Sequence, residues 1–361
     1  MFSVSINPQW TITGPAGGDL GPRVVELLVL VDSQGSLSAA CTAGGISYRH
    51  AWQLLREGEA LFGQPLLVML RGKGSHLTPL GERLVGAHRR VQARLSPMLE
   101  TLASELGAEL EKVLSAQPGL LRMHASHGFA VQSLHEILTR EGLPHELKYC
   151  ASAEALESLS SGHCDIAGFH VPIGEFQAAA IEHWRPWLDA KSQRLIQLVT
   201  RRQGLMTRAG NPKKVYEIAD LARPDVRFIN RQPGSGTRFL LDELLKSRGI
   251  APASIRGYER CEFTHAAVAA FVASDMADVA MGVEVPAREF KLEFIPLLQE
   301  RYFLVCRVDQ IDAPAVRQVL QVLASDEFKQ SIDNLPGYAA DDTGAMYTLA
   351  AAFPGFVPAA A

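Results

Sequence analysis

Two groups of side chains in this sequence have the types and spacing for chemistry. In the first, Ser235, Gly236, Thr237 and Arg238 follow a strand-like run, Val226–Asn230, and open a stretch of helix-forming residues. A helix that starts there directs its unpaired N–H groups, and the positive end of its dipole, at the turn before it. Flanked by two hydroxyls, such a turn suits an anion. It lacks the G-x-x-x-x-G-K-[ST] spacing of a triphosphate loop. Ser126 and His127 follow the apolar run Leu120–His124, and His170 follows Asp165–Ala167, so all three are expected in loops leaving strands, where open α/β sheets bind ligands. No nucleophile elbow, H-E-x-x-H or carboxylate pair accompanies these histidines, so they are read as donors to an anion and no catalytic residue is assigned. The second group is Ser47, Tyr48, Arg49, His50, Gln53 and Arg56 on one polar helix face, with Arg71 and Lys73 in a basic glycine turn nearby. Side chains of this kind hydrogen-bond base edges and neutralise phosphates.

The charge distribution agrees with that division. The 361 residues carry a net charge of −4, yet between Arg49 and Arg94 eight Lys or Arg stand against three Glu. The five cysteines, Cys41, Cys150, Cys164, Cys261 and Cys306, form no C-x-x-C pair and are read as packed thiols, so neither metal nor cofactor is expected. No signal-peptide pattern and no long apolar run occurs, which places the expected location in the cytoplasm, away from membranes.

The elements that must position these groups follow from periodicity and caps. Arg23–Asp32 reads as a helix, Ser36–Ala43 as a second helix capped by Ser36, and Ser47–Phe62 as a third after the glycine break at residues 44 and 45. Pro65–Leu70 and Ser75–Thr78 read as a hairpin around the basic turn, giving a winged helix-turn-helix. From Pro79 a long helix is expected with an apolar seam, interrupted by a kink or fresh start at Ser96-Pro97, and a second copy of the chain is its expected partner. Beyond Gly119 short apolar strands alternate with helices, and Arg194–Thr200 and Arg301–Cys306 read as strands crossing a hinge between lobes.

The run Ser36-Leu-Ser-Ala-Ala, then Gly45-Ile-Ser-Tyr-Arg-His-Ala-Trp-Gln-Leu-Leu55, Gly72-Lys-Gly and Leu77-Thr-Pro-Leu-Gly81 resembles the winged helix of the ModE and LysR families of bacterial regulators over about residues 20–115. That resemblance implies a homodimer, alone or as a dimer of dimers, on two-fold symmetric double-stranded operator DNA. Gly162–His170, Arg202–Leu205, Gly210–Lys213, Asn230–Arg238, Thr264–Ala269, Ala277–Gly282, Phe294–Leu297 and Glu300–Tyr302 resemble the cytoplasmic cousins of periplasmic molybdate-binding proteins, within the type 2 periplasmic-binding fold, over about residues 118–345. This implies molybdate or tungstate as effector. Where such relatives continue Gly-Glu-Tyr-Asn, this chain has Gly174-Glu-Phe-Gln177, a departure that bears on the ligand if those side chains touch it.

The expected fold is therefore an α+β winged helix-turn-helix and a long linker helix, followed by a two-lobed α/β domain. The expected boundaries are an N-terminal arm at 1–21, the winged helix at 22–79, the linker helix at 80–117, the ligand domain at 118–345 and a tail at 346–361. Lobe 1 takes about 118–200 and 303–345 and lobe 2 about 201–302, while residues 3–18 and 347–361 are expected to be loosely ordered. The expected function is a one-component transcription regulator sensing a small anion. A small carboxylate such as formate would suit the same donors, and an oxyanion carrier or an enzyme without gene regulation stand as the other readings.

Overall fold

Glycine and serine delimit the first helices as their side chains require. In the computed structural model, which describes residues 4–15, 17–70, 74–114 and 120–354, a ribbon of β1 (Ile12–Thr13) and β2 (Asp19–Leu20) leads into α1 (Pro22–Gln34). α2 (Leu37–Gly44) is capped by Ser36, whose hydroxyl accepts from Ala39 N–H, and ends at Gly45 with φ of 64°. Ser47 caps α3 (Tyr48–Phe62) by accepting from His50 N–H. β3 (Leu67–Leu70) and β4 (Gly74–Leu77) pair antiparallel as the wing. The wing is held by the turn between α1 and α2: Ser75 N–H donates to Gly35 C=O at 3.3 Å, and Leu37 N–H donates to the Ser75 hydroxyl at 3.1 Å. The chain divides into two units, residues 7–95 and a unit that joins residues 1–6 to those from Ser96 onward. In the first, Leu27, Leu28, Val31, Leu37, Ala51, Leu55 and Leu66 form the core.

The arm is more ordered than its small residues suggest. Trp10 donates its indole N–H to His88 at 3.2 Å, and its ring packs on the same core. The division between units falls inside α4 (Pro79–Leu114), which runs through Ser96-Pro97 without the expected restart. Thr101 donates its hydroxyl to Pro97 C=O at 2.8 Å, a helix-internal bond made one turn after the proline.

The second unit is one mixed sheet with helices on its faces. β5 (Leu121–Ala125), α5 (Phe129–Arg140), β6 (His145–Tyr149), α6 (Ser152–Ser160), β7 (Ile166–Pro172) and α7 (Gln177–Trp184) precede β8 (Gln193–Thr207). Then follow β9 (Phe228–Arg231), α8 (Gly236–Ser247), β10 (Cys261–Glu262), α9 (His265–Ala273), β11 (Val279–Val283), α10 (Glu284–Glu289) and β12 (Glu293–Arg307). The chain closes with α11 (Pro314–Ala324), α12 (Asp326–Asp333), β13 (Tyr338–Ala339), β14 (Met346–Tyr347) and α13 (Leu349–Ala352). The strand order is β10-β9-β11-β8-β12-β7-β5-β6, with β13 and β14 also on β8.

β8 and β12 are longer than the expected hinge strands, at 15 residues each, and pair antiparallel along their whole length. β11 joins β8 over Gln203–Thr207, whereas β7 joins β12 over Glu300–Cys306, so each long strand leaves one lobe and enters the other. The crossing lies near Thr200–Gln203 and Leu298–Tyr302. β6 is an edge, and its outward N–H groups are met by α4: Tyr149 N–H donates to the Thr101 hydroxyl at 3.1 Å and Leu147 N–H to the Ser104 hydroxyl at 2.7 Å. The tail is packed through Phe353, where loose order was expected, because it carries apolar groups that bury against the domain. Leu349 and Phe353 are buried, and the Phe353 ring meets Phe303 edge-on at 5.5 Å. Among the described residues no single helix is long and apolar enough to cross a membrane.

Candidate anion site and DNA-facing helix

The crossing of β8 and β12 brings the charged groups together. Arg201 and Glu300 are cross-strand partners, almost fully buried at 3% and 1% side-chain exposure, with Arg201 Nε 2.7 Å from Glu300 Oε1. Gln203 lies two residues further along β8, on the same face, and donates Nε2 to Glu300 Oε1 and to the Thr237 hydroxyl, each at 2.9 Å. The Arg201 guanidinium also reaches the Tyr338 hydroxyl at 3.4 Å. Thr237 Oγ1 thus accepts from the amide and keeps its own proton to donate.

Arg231, the last residue of β9, is the exceptional group. It is 4% exposed, donates Nη2 to Phe263 C=O at 2.7 Å, and leaves buried Nε and Nη1 without a partner. Burial, reinforced by the positive charge of Arg201, pulls its pKa down to about 9. Two buried guanidiniums therefore share one buried carboxylate, Glu300. A buried charge without a close counter-charge is costly, and an anion beside it would offset that cost.

Three histidines line the same region. His127 follows β5 in the expected exit loop, largely covered and edge-on against Tyr149, with its Nε2 4.0 Å from Glu100 Oε2 of α4. Burial, with Arg231 adding to it, lowers its pKa to about 4. His170 is not in an exit loop as expected. β7 continues through it because β12 pairs alongside, with Tyr302 opposite His170. The two rings stack with centroids 4.0 Å apart, and Gly168 supplies the space, since a Cβ there would lie 2.8 Å from Tyr302 Cε2. His170 Nε2 and His265 Nδ1 are buried without partners. Burial, then the neighbouring guanidiniums, holds both rings far below the usual histidine pKa, so they are neutral.

The glycine turn closes on this group. Gly234 has φ of 79°, and a Cβ on Gly236 would come within 3.2 Å of His170 Cβ, so the start of α8 lies directly against β7. The hydroxyls divide by role. Ser235 is consumed as a cap, donating to Gln232 C=O at 2.9 Å and accepting from Arg238 N–H at 3.2 Å, which removes it as a side-chain donor. Arg238 is also turned to other work: its guanidinium bonds Asp242 and Tyr258 C=O and lies over the Tyr258 ring at 3.9 Å. Ser126 stands 3.4 Å from the Tyr302 hydroxyl. Ser126, His127, His170, Gly236 and Thr237 are thus brought together with Arg201, whose charge sequence reading left between the cleft and a solvated hinge, and Gln203, Arg231, His265, Glu300 and Tyr302 join them unforeseen. Sequence signals existed for several: Arg231 lies inside the motif Asn230–Arg238, His265 inside Thr264–Ala269, and Glu300 and Tyr302 inside Glu300–Tyr302.

In the first unit, Ser47, Tyr48, Arg49, Gln53 and Arg56 are exposed and His50 is half-buried, while Ala51, Leu54, Leu55 and Gly58 face the core. Trp52, absent from the expected set, is also exposed and meets Tyr48 edge-on at 6.3 Å. Gln53 donates to Glu57 at 3.1 Å. Arg71 and Lys73 lie outside the described residues. No group of three or more His, Cys, Asp or Glu able to hold a metal ion occurs among the described residues.

A family model described as the PBP superfamily domain matches residues 136–324. An uncharacterised Bacillus subtilis protein, YvgK, is 35% identical over 197 residues, 55% of this chain and 63% of its own length, so the chain spans less than two thirds of that relative. The molybdenum-pterin-binding protein MopB of Rhodobacter capsulatus is 30% identical over 102 residues, 27% of this chain and 38% of that protein. Among solved structures, the regulatory domain of MetR, a LysR family regulator from N. meningitidis, aligns with a TM-score of 0.45 at 14% identity, covering 61% of this chain and 97% of that one.

Proposed function

The chain belongs to the PBP superfamily, and from that premise we propose that it is a one-component transcription regulator whose lobes hold a small anion and whose winged helix binds operator DNA. The observation that carries the sensing half is Arg231, a buried guanidinium with Nε and Nη1 unpaired, whose charge acts on the neutral rings of His127, His170 and His265. The DNA-binding half is supported by α3, which presents Tyr48, Arg49, Gln53 and Arg56 outward while its other face builds the core. Molybdate and tungstate are the effectors that the sequence resemblance favours, and a small carboxylate such as formate fits the same donors. Regulation rather than catalysis is the role assigned to the histidines, whose unpaired nitrogens serve as ligand contacts.

A homodimer is the proposed DNA-binding form. Met98, Leu102, Leu106 and Leu110 recur every four residues on α4, and all are exposed together with Val113. A helical stripe of that kind is covered by an equivalent stripe in two-fold assemblies.

The test is a selection of binding sites from random duplex DNA with the full chain, followed by anisotropy titrations with and without each candidate anion. The proposal expects one enriched symmetric sequence and an anion-dependent change in its affinity. Saturable anion binding without sequence-selective DNA binding would replace the regulator with an oxyanion carrier.

A further inference from the structure

The charges buried around the lobe crossing do not balance. Arg201 is neutralised by Glu300 at 2.7 Å, whereas Arg231 has a backbone carbonyl as its one bonded partner and two nitrogens facing none. The nitrogens Nε and Nη1 together carry three N–H protons. The rings that feel the Arg231 charge, His127, His170 and His265, are neutral, and Gln203 and Thr237, which bond each other beside Glu300, are dipoles. We infer that the effector is a small singly charged anion of the carboxylate class, seated on the Arg231 guanidinium.

Net charge decides what such a buried site accepts. A monoanion cancels the single excess positive charge and leaves the region neutral. A dianion such as molybdate or sulfate inverts the excess and places its second charge near Glu300, which is 1% exposed and already shared between Arg201 and Gln203. Water, which would screen that repulsion at a surface, is largely excluded here. Glu300 thereby selects against the higher charge, although it touches the ligand only through its neighbours. Arg231 supplies the attraction, and the fixed Thr237 hydroxyl and the N–H groups of α8 supply orientation. Phe176, which replaces the tyrosine expected by family resemblance, is partly buried against the lobe 2 core and adds no donor for a further oxygen.

This inference rests on the anion-site reading above, and the experiment separates the two. The full chain is titrated calorimetrically with sodium formate, acetate and nitrate, and with molybdate, tungstate and sulfate, at constant ionic strength. Thermal shifts are recorded in parallel. The expected result is saturable binding of at least one monoanion, at least tenfold tighter than any dianion. In Glu300→Gln, which removes the buried negative charge while keeping the side-chain shape, the ratio of the two affinities should swing at least tenfold toward the dianions. Arg231→Gln should abolish binding of both classes, and Arg231→Lys, which keeps the charge, should retain the monoanion preference at reduced affinity. Should either glutamine variant fail to fold, the wild-type comparison and Arg231→Lys still decide the matter. Molybdate or sulfate binding as tightly as the monoanions overturns the charge rule and leaves an anion sensor. Binding of none of the six anions overturns the sensor and the charge rule together.

Discussion

Gly168→Ala puts the packing at the centre of the site to a quantitative test. A methyl on residue 168 would overlap the Tyr302 hydroxyl and lie 2.8 and 2.9 Å from ring carbons Cε2 and Cζ. The ring has little room to yield. It is 1% exposed, stacked on His170 at 4.0 Å, and anchored 3.4 Å from the Ser126 hydroxyl. Overpacking a dense interior costs roughly 1–3 kcal/mol, and displacing the phenol from Ser126 adds about 1 kcal/mol. The sum, about 2–4 kcal/mol, should lower the melting temperature of the ligand domain by roughly 5–15 °C. Chemical denaturation of wild type, Gly168→Ala, Tyr302→Phe and the double variant completes a thermodynamic cycle. Since the hydroxyl is the atom most overlapped, Tyr302→Phe in the alanine background should restore about 1 kcal/mol or more. A Gly168→Ala protein within about 0.5 kcal/mol of wild type, or a double variant with no recovery, would refute the packing account of why glycine stands there.

Three further outcomes are expected. Arg49→Ala should reduce discrimination between operator and random DNA by about 1–3 kcal/mol in anisotropy titrations, whereas Lys73→Ala should lower the salt slope by about one with little change in discrimination. Thr237→Val should remove the anion response while leaving DNA affinity intact; it deletes the acceptor of the Gln203 amide at 2.9 Å, and a response of wild-type strength would take the start of α8 out of the site. Acid should destabilise the ligand domain through His127 and His135, both pulled by burial from 6.5 to about 4 in the folded state. The unfolded chain binds those protons first, so stability is complete above pH 6.5 and falls as pH drops toward 4 by up to about 3 kcal/mol per histidine. Denaturation midpoints that stay level between those values would contradict the burial.

Local rules carried much of the architecture. Ser36 and Ser47 signal their helices through hydroxyl caps, and the pairing of β3 with β4 is legible from the glycine-rich sequence between them. The glycine turn at Gly234 is readable for the same reason, whereas Ser235, expected as an anion donor, is spent as the cap of α8. What escaped was non-local. Arg201 and Glu300 lie 99 positions apart and meet only through the β8–β12 register. Arg201 and Arg202 could be read from sequence as cleft potential or as a solvated hinge. In fact Arg201 turns inward to Glu300, while Arg202 bonds Glu284 at 2.7 Å from a half-exposed position. The short run Asp165–Ala167 predicts a strand that ends before His170, yet pairing with β12 extends it beyond what its own residues demand. Of the kink or fresh start expected at Ser96-Pro97, the fresh start does not occur, and bonds from β6 to the Thr101 and Ser104 hydroxyls accompany the continuation of α4.

Those two hydroxyls also determine how the ligand domain should be handled in isolation. A fragment begun near residue 120, where composition changes, would strip the partners from Leu147 and Tyr149 N–H and leave β6 as a bare edge open to other chains. A fragment begun at Ser96 keeps that edge covered. The shorter piece should aggregate on concentration and the longer one stay monodisperse apart from pairing along its exposed apolar stripe, a difference visible in light scattering before any ligand is added.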